Sequence, residues 1–150
     1  MRQPSRPHQE RRGATVLEFA IVAPVLFLTI LACMELTRFY MMGAMAEDAA
    51  YFAARHVMVP GATLNEGVLM ANESLNTIGA TGSLVSVQAF NGTTEQTEID
   101  ADTTDVTVTI SVPVADNAMF VPLFLTTGTI VKTVTLETER FTGYFDGNTP

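Results

Sequence analysis

The sequence predicts an α+β protein in which one long amino-terminal helix leads into a small antiparallel sheet. Three observations support this fold class. Residues 19–34 carry no charged side chain, apolar residues then recur every three or four positions as far as Val57, and beyond residue 83 they recur every second position. A chain whose helical period gives way to a strand period is typical of the α+β class.

Residues 14–35 are predicted to form a transmembrane helix. At about 1.5 Å per residue, the 21 residues 14–34 are long enough to cross a hydrocarbon core roughly 30 Å thick. Four arginines and one glutamate precede Gly13, whereas four basic and 15 acidic residues follow it. Flanking arginines stay on the cytoplasmic side, so the carboxy-terminal part is predicted to be extracytoplasmic. Its acidic composition argues against nucleic-acid binding.

The helical period continues beyond the membrane over residues 36–60. Small and apolar side chains recur there at three- and four-residue steps: Phe39, Met42, Gly43, Ala46, Ala50, Ala53 and Val57. Pro60-Gly61 is predicted to end the helix, which from Ala14 to about Val59 would measure roughly 70 Å. Such a helix is too long to be only a membrane anchor. Residues 1–13 form a separate basic segment, whose first dozen polar and proline-containing residues are predicted to be disordered or short-lived.

Residues 61–150 are predicted to form a small extracytoplasmic α+β domain. Thr63 and Glu66 match the T-x-x-E capping pattern of a second helix, and Gly79 is a suitable end for that helix.

The strands of this domain are predicted from alternating apolar residues over 85–89, 106–112 and 130–136. Asn91-Gly92 is a favourable hairpin turn after the first of them. Three or four antiparallel strands are expected to pack against the outer part of the long helix. Their valine face would be buried and their threonine face would meet water.

A single carboxylate, Glu18, interrupts the start of the apolar segment five residues after Gly13. Such a residue can simply cap the helix at the cytoplasmic interface, where its charge reaches water and the positive end of the helix dipole. Here, however, two arginines precede Gly13, and Phe19 directly follows the carboxylate. This order of residues resembles the cleavage and assembly signal of type IV prepilins.

Over residues 11–55 the chain more closely resembles the TadE-like family of the tight-adherence (Flp) pilus systems. The segments that carry the resemblance are RRGATVLEFAIVAPVLF, MELTRFYMM and AEDAAYFAAR, in this order. The resemblance implies that the long helix continues into a pilin-like domain. It also implies a non-enzymatic role as a minor pilin or pseudopilin, because the extra domain makes the chain longer than the major pilins of these systems.

The same resemblance implies that a prepilin peptidase cuts between Gly13 and Ala14. Glu18 would then be the fifth residue of the mature chain and, with Phe19 beside it, would take part in subunit assembly by meeting the new amino group of a neighbouring subunit. The implied partners are the membrane, the prepilin peptidase, other pilin subunits and the pilus assembly machinery. The implied location is the bacterial inner membrane, with incorporation into a surface pilus as a further stage.

Two other features of the long helix have a structural and a functional interpretation. Pro24 is either tolerated, as prolines are in membrane helices, or provides a bend during filament packing. Glu35 and Arg38 are three residues apart and can pair, and with Tyr40 they are expected to mark the interface where the helix leaves the bilayer.

No pattern in the sequence predicts catalysis, a cofactor, a metal site or a small-molecule substrate. The chain contains no H-x-x-x-H, no paired cysteines, no G-x-S-x-G and no phosphate-binding loop. Asp100, Asp102 and Asp105 lack the glycine and the distal glutamate of a calcium loop, so a solvated acidic turn is expected.

Two other hypotheses for the membrane segment remain open. Residues 30–33 are similar to a lipobox, which would make the chain a lipoprotein modified at Cys33. Alternatively, the chain is an unprocessed, membrane-anchored binding domain. The mature amino-terminal residue distinguishes all three.

Overall fold

The computed structural model of the chain describes residues 8–59, 61–100, 102–118 and 127–138. The helices are α1 (His8–Val57), α2 (Leu64–Thr77) and a short 3₁₀ helix (Ala115–Asn117), and the strands are β1 (Leu84–Asn91), β2 (Thr94–Gln96), β3 (Asp105–Pro113) and β4 (Thr129–Glu137). A long apolar helix followed by a small antiparallel sheet confirms the predicted α+β class.

Helix α1 is one continuous helix of 50 residues. It begins at His8, so the prediction of disorder is wrong for residues 8–12, and residues 1–7 lie outside the described residues. His8 directly follows Pro7, and the residues between it and Gly13 include Gln, Glu and Arg, which have good helix propensity. Adding residues to an existing helix costs little compared with nucleating one, so α1 extends back to that proline. Its other end, at Val57, lies two residues before the predicted end.

The outer part of α1 is held to the sheet by a stripe of small side chains. Ala46, Ala50, Ala53 and Val57 are completely buried, and α1 contacts β3, β4 and α2 through this region. Small side chains allow the helix and the sheet to approach closely, so that the larger strand residues fill the space between them. The predicted packing of the sheet against the outer part of the helix is therefore confirmed.

The sheet has the strand order β2-β1-β3-β4, and every neighbouring pair is antiparallel. The inward-facing residues of β3 are all completely buried: Val106, Val108, Ile110 and Val112. On the opposite face, hydroxyl groups pair across β3 and β4, with Thr107 Oγ1 2.9 Å from Thr135 Oγ1. The predicted division into a buried valine face and a threonine face is confirmed.

The first hairpin differs by one residue from the prediction. Asn91 pairs with Thr94, so the two loop residues are Gly92 and Thr93 rather than Asn91 and Gly92. Gly92 has φ of 63°, which suits glycine at the first position of a two-residue hairpin loop. Because β2 and β3 lie on opposite sides of β1, the chain crosses from one side of β1 to the other between these strands.

Helix α2 begins and ends as the sequence predicts. Thr63 Oγ1 accepts a hydrogen bond from the Glu66 backbone N–H at 3.3 Å, and the Glu66 carboxylate accepts from the Thr63 backbone N–H at 3.1 Å. At the other end, the Gly79 backbone N–H donates to the carbonyl oxygen of Asn76, and the Ala80 backbone N–H donates to that of Leu75. This pair of hydrogen bonds is the Schellman arrangement. At the start of α2, the capping box of Thr63 and Glu66 provides acceptors for two backbone N–H groups that have no partner within the helix.

Gly67, which lowers helix propensity, has a packing reason for its presence in α2. A Cβ atom at this position would lie 3.0 Å from Val57 Cγ1 and 3.2 Å from Val87 Cγ2. Both distances are tighter than ordinary van der Waals contact, so the glycine lets α2 approach α1 and β1 together.

We expect Thr63→Ala to lower the free energy of unfolding of the domain by about 1 kcal/mol, because the capping hydrogen bond to Glu66 is lost. The measurement is urea denaturation of the full chain in detergent, followed by circular dichroism. Asn65→Ala is the matched control, since Asn65 is exposed in the same helical turn and takes no part in the capping box. An equal loss of stability in both variants would contradict the assigned role of Thr63.

Candidate membrane and assembly interface

The amino-terminal half of α1 presents an apolar surface on all sides. The most apolar 18-residue window of this helix has a mean hydropathy of 2.5, and none of it is buried within the structure. Phe19, Ile21 and Leu26 are 70%, 65% and 56% exposed. By length and composition this helix can cross a membrane, and its exposed apolar area needs lipid or another helix to cover it.

The candidate cleavage and assembly residues lie together at the start of this surface. Gly13, Ala14, Glu18 and Phe19 are all helical and exposed. Ala14 and Glu18 are four residues apart, so they occupy the same face of α1, one helical turn from each other. The structure gives Glu18 no hydrogen bond or ion pair with any described residue. Its carboxylate is therefore available to a group from outside this part of the chain.

Pro24 lies inside α1 without ending the helix. Proline has no backbone N–H, so the carbonyl group of Ala20 loses its usual helical donor. Five residues further on, Thr29 Oγ1 donates a hydrogen bond to the carbonyl oxygen of Val25 at 2.8 Å. A threonine bonded in this way satisfies its own hydroxyl group within the apolar segment. A functional bend at Pro24 stays a prediction.

The membrane helix meets the domain at the three residues predicted to mark the interface. Glu35 and Arg38 are half-buried, whereas Tyr40 is 73% exposed. The Arg38 Nε–H group donates to the carbonyl oxygen of Asn117 at 3.3 Å. Arg38 therefore connects α1 to the segment that follows β3, in addition to any contact along its own helix.

Asn117 is the centre of a hydrogen-bond cluster that the sequence did not predict. Its side chain is 6% exposed. Its Oδ1 accepts from the Thr81 backbone N–H at 2.8 Å, and its Nδ2 group donates to the carbonyl oxygens of Thr81 at 2.9 Å and Pro113 at 2.8 Å. Thr81 also donates its hydroxyl hydrogen to the Asp116 carbonyl oxygen at 2.9 Å.

This cluster joins three parts of the chain at the end of the domain where α1 enters it. The parts are α1 at Arg38, the loop between α2 and β1 at Thr81, and the turn after β3 at Asn117. The polar pair Asp116-Asn117 in an otherwise apolar stretch is the only sequence signal for it, and it does not reveal the partners. A buried amide whose donors and acceptor are all used holds these parts in one arrangement.

One ion pair crosses from the sheet to the exposed side of α1. Lys132 Nζ of β4 lies 2.8 Å from Glu47 Oε2, and the two side chains are 36% and 57% exposed. An ion pair this accessible to water stabilises the fold by about 1 kcal/mol at most. Lys132 also lies on the edge strand β4, where a charged side chain discourages pairing with strands of other molecules.

The acidic turn before β3 uses its carboxylates to organise its own backbone. Asp100 Oδ1 accepts from the Asp102 backbone N–H at 2.9 Å and from the Thr103 hydroxyl group at 3.2 Å. Within the described ranges, no group of three or more His, Cys, Asp or Glu side chains is placed to hold a metal ion.

Residues 13–55 match the family model of TadE-like protein. Over this stretch, α1 is similar to the proteins of that family. The resemblance predicted from the sequence is thereby confirmed, and it indicates a role in a tight-adherence pilus system. The match includes both the exposed apolar half of the helix and the half that packs on the sheet, but it includes none of the strands. No significant match to a curated protein or to a solved structure was found.

We expect Asn117→Ala to lower the free energy of unfolding by about 3 kcal/mol, because three hydrogen bonds from its side chain to the backbone of Thr81 and Pro113, each worth about 1 kcal/mol, are lost. Urea denaturation monitored by circular dichroism measures the change. Asn117→Asp keeps the shape and the acceptor but loses both donated bonds, so it should also be destabilised. Asn76→Ala, at an exposed position of α2, is the control that should stay close to the unmodified chain. A stable Asn117→Ala variant would show that the cluster does not hold the domain together.

Proposed function

We propose that this chain is a minor pilin or pseudopilin of a tight-adherence pilus, processed by a prepilin peptidase and anchored in the bacterial inner membrane before assembly. The observation that carries the proposal is the TadE-like match, which begins at Gly13, includes Glu18 and lies within a single helix that continues into a packed domain. The role is structural: the chain takes part in filament assembly and performs no catalysis.

The surroundings of Gly13 favour cleavage between Gly13 and Ala14. A Cβ atom at Gly13 would meet nothing within 4 Å apart from its own stretch of helix, so no other described part of the chain packs against this position. Glycine also weakens a helix by about 1 kcal/mol relative to alanine, which eases local unwinding near the helix start. An extended backbone without a side chain can enter a narrow protease cleft closely.

The position of Glu18 favours a role in assembly after that cleavage. A carboxylate facing an apolar environment without a partner costs several kcal/mol, and a positive group nearby offsets much of that cost. Cleavage would create such a group, the amine of Ala14, one helical turn from Glu18 on the same face of α1. If the amine of one subunit meets Glu18 of the next, only one axial stagger of the two helices pairs both charges. The charge would thus set the register of subunits.

The rest of the chain supports a minor rather than a major subunit. The domain formed by α2 and the four-stranded sheet packs on α1 through the buried alanine stripe and is hydrogen-bonded to it through Arg38. With the arginines in the cytoplasm, this acidic domain is displayed outside the inner membrane. It would contribute a surface to the filament or to its assembly machinery, alongside subunits that consist mainly of the helix.

The lipoprotein alternative fits the structure less well. Cleavage before Cys33 would remove residues 13–32, which are part of the segment that matches the TadE-like family. Only a short piece of α1 would then separate a lipid at Cys33 from Arg38, which donates a hydrogen bond to Asn117 of the domain. The unprocessed, membrane-anchored alternative keeps the whole helix, so the mature amino-terminal residue is what distinguishes it from the processed pilin.

We expect co-expression with a prepilin peptidase to shorten the chain by residues 1–13, because no other described part of the chain packs against Gly13 and glycine eases unwinding of the helix there. Intact-mass measurement of the membrane-extracted chain gives the mature end directly. Gly13→Val should block the shortening, whereas Ala20→Val, further into the helix, should not. A chain that still begins at Met1 would favour the unprocessed anchor, and a lipidated Cys33 would favour the lipoprotein.

We expect Glu18→Ala to leave membrane insertion and cleavage largely intact but to abolish incorporation into filaments, since the register-setting charge is gone. The measurement is the amount of the chain in sheared pili relative to the amount in membranes. Glu10→Ala is the matched control, because that acidic residue would be removed with the leader. Normal incorporation of Glu18→Ala would rule out the proposed pairing while leaving the cleavage result unaffected.

A further inference from the structure

The domain meets α1 just beyond the apolar span at a groove between α1 and β4. We call it the α1–β4 groove, and it is lined by Phe39, Tyr40, Gly43, Ala44 and Glu47 of α1 and by residues 129–132 of β4. Its volume is about 510 Å³. A helix forms one wall and an edge strand the other, so the concave shape follows from the packing of β4 on α1.

The α1–β4 groove offers an apolar surface without a net charge. Tyr40 is 73% exposed on its α1 side, and Gly43 has no side chain. Lys132 Nζ and Glu47 Oε2 neutralise each other at 2.8 Å. Val131, on the β4 side, is 57% exposed. Because side chains alternate along a strand, Val131 points to the opposite face of the sheet from Lys132, and it takes no part in the core of the domain.

The position of the groove along α1 sets its height above the bilayer. With Glu18 at the cytoplasmic boundary, a hydrocarbon core roughly 30 Å thick takes about 20 residues and ends near Arg38. Tyr40 and Gly43 then lie about 3 and 8 Å beyond the hydrocarbon core. The polar headgroup layer on each side of that core is roughly 5 to 8 Å thick. The groove therefore begins within the headgroup layer.

The domain is held at this height by contacts with the membrane end of α1. The Arg38 Nε–H group donates to the carbonyl oxygen of Asn117 at 3.3 Å. Ala118 and Ile130 line a small cavity together with Glu35, the first charged residue after the apolar span. Lifting the domain away from the bilayer would break these contacts.

Strand β4 runs away from the membrane, so its first residues are the nearest to lipid. Ile130 lines the cavity with Glu35, whereas Lys132 pairs with Glu47, which lies about 18 Å further along α1. Val131 lies between these two strand residues. An exposed valine therefore stands at the end of the sheet that faces the bilayer.

We propose that this end of the domain rests in the headgroup layer of the bilayer, with Tyr40 and Val131 in contact with phospholipid and the α1–β4 groove open to it. The height of the groove selects lipid as the occupant, because headgroups surround α1 at this level. Tyrosine suits the layer, since its ring is apolar and its hydroxyl group reaches water. The inference rests on the proposed membrane anchoring, but it needs neither cleavage at Gly13 nor a filament.

The chain contains no tryptophan, so a single introduced tryptophan reports its own surroundings by fluorescence. The full chain is reconstituted in phosphatidylcholine vesicles, with and without a phospholipid that carries a nitroxide quencher on its headgroup. Val131→Trp tests the domain, and Tyr40→Trp is the reference for the headgroup layer. Val59→Trp is the matched control, because Val59 is 62% exposed but follows the end of α1, which lies about 28 Å beyond Arg38.

The nitroxide lipid should quench Val131→Trp about as strongly as Tyr40→Trp and should leave Val59→Trp nearly unchanged. Iodide, which stays in water, should quench Val59→Trp the most. Quenching of Val131→Trp by the nitroxide lipid that is no greater than that of Val59→Trp would overturn the proposal. Protection of Val131→Trp from both quenchers would overturn it as well, because protein would then cover this surface.

Phe27→Trp, within the apolar span, separates this result from a failure of membrane anchoring. A lipid with the nitroxide on its acyl chain should quench it. If Phe27→Trp is quenched and Val131→Trp is not, the helix spans the bilayer and only the docking of the domain is wrong. If neither is quenched, both the anchoring and the docking are wrong. All four substituted side chains are exposed, so tryptophan displaces no core residue, and circular dichroism verifies the fold of each variant.

Discussion

The packing of small residues of α1 against the sheet is the interaction on which the rest of the structure depends. Ala46, Ala50 and Ala53 bury little area themselves, but because they are small they let the valines of β3 approach the helix axis. The burial of those larger side chains then supplies most of the hydrophobic free energy of the domain. A bulkier residue in this stripe would push the sheet away and leave gaps between its strands and the helix.

Helix α1 has an exposed apolar part and a part that packs on the sheet, and its polar contacts with the domain begin where the first part ends. On the amino-terminal side of Leu31, the side chains of α1 are almost all exposed and apolar, as a hydrocarbon environment requires. On its carboxy-terminal side, the Arg38 guanidinium donates to the Asn117 carbonyl oxygen, and the Asn117 amide donates to the Pro113 carbonyl oxygen. Placing this cluster at the point where α1 enters the domain joins the membrane helix and the sheet without a linker.

The elements that sequence reasoning located well are those whose signals are local. The alternation from Val106 to Val112 predicts β3, and the spacing of Thr63 and Glu66 predicts the start of α2, since both depend on residues close together in the chain. The two differences between the predicted and the observed elements also have physical causes. The first hairpin is shifted by one residue because strand pairing, and not only turn preference, decides which residues form the loop. The start of α1 is earlier because a long helix propagates through residues that would not form one alone.

By itself, the sequence determined the properties that follow from the period and order of neighbouring residues: a long helix with a span apolar enough to cross a membrane, the Gly13–Glu18 arrangement, the capped second helix and the alternating strands. Only the tertiary structure decided which strands are neighbours, that Asn117 is hydrogen-bonded to Arg38, Thr81 and Pro113, and that Gly67 lies closely against Val57 and Val87. The physical reason is that these contacts join residues far apart in the chain. Their energies depend on how whole elements pack, and no local pattern of residue types records that packing.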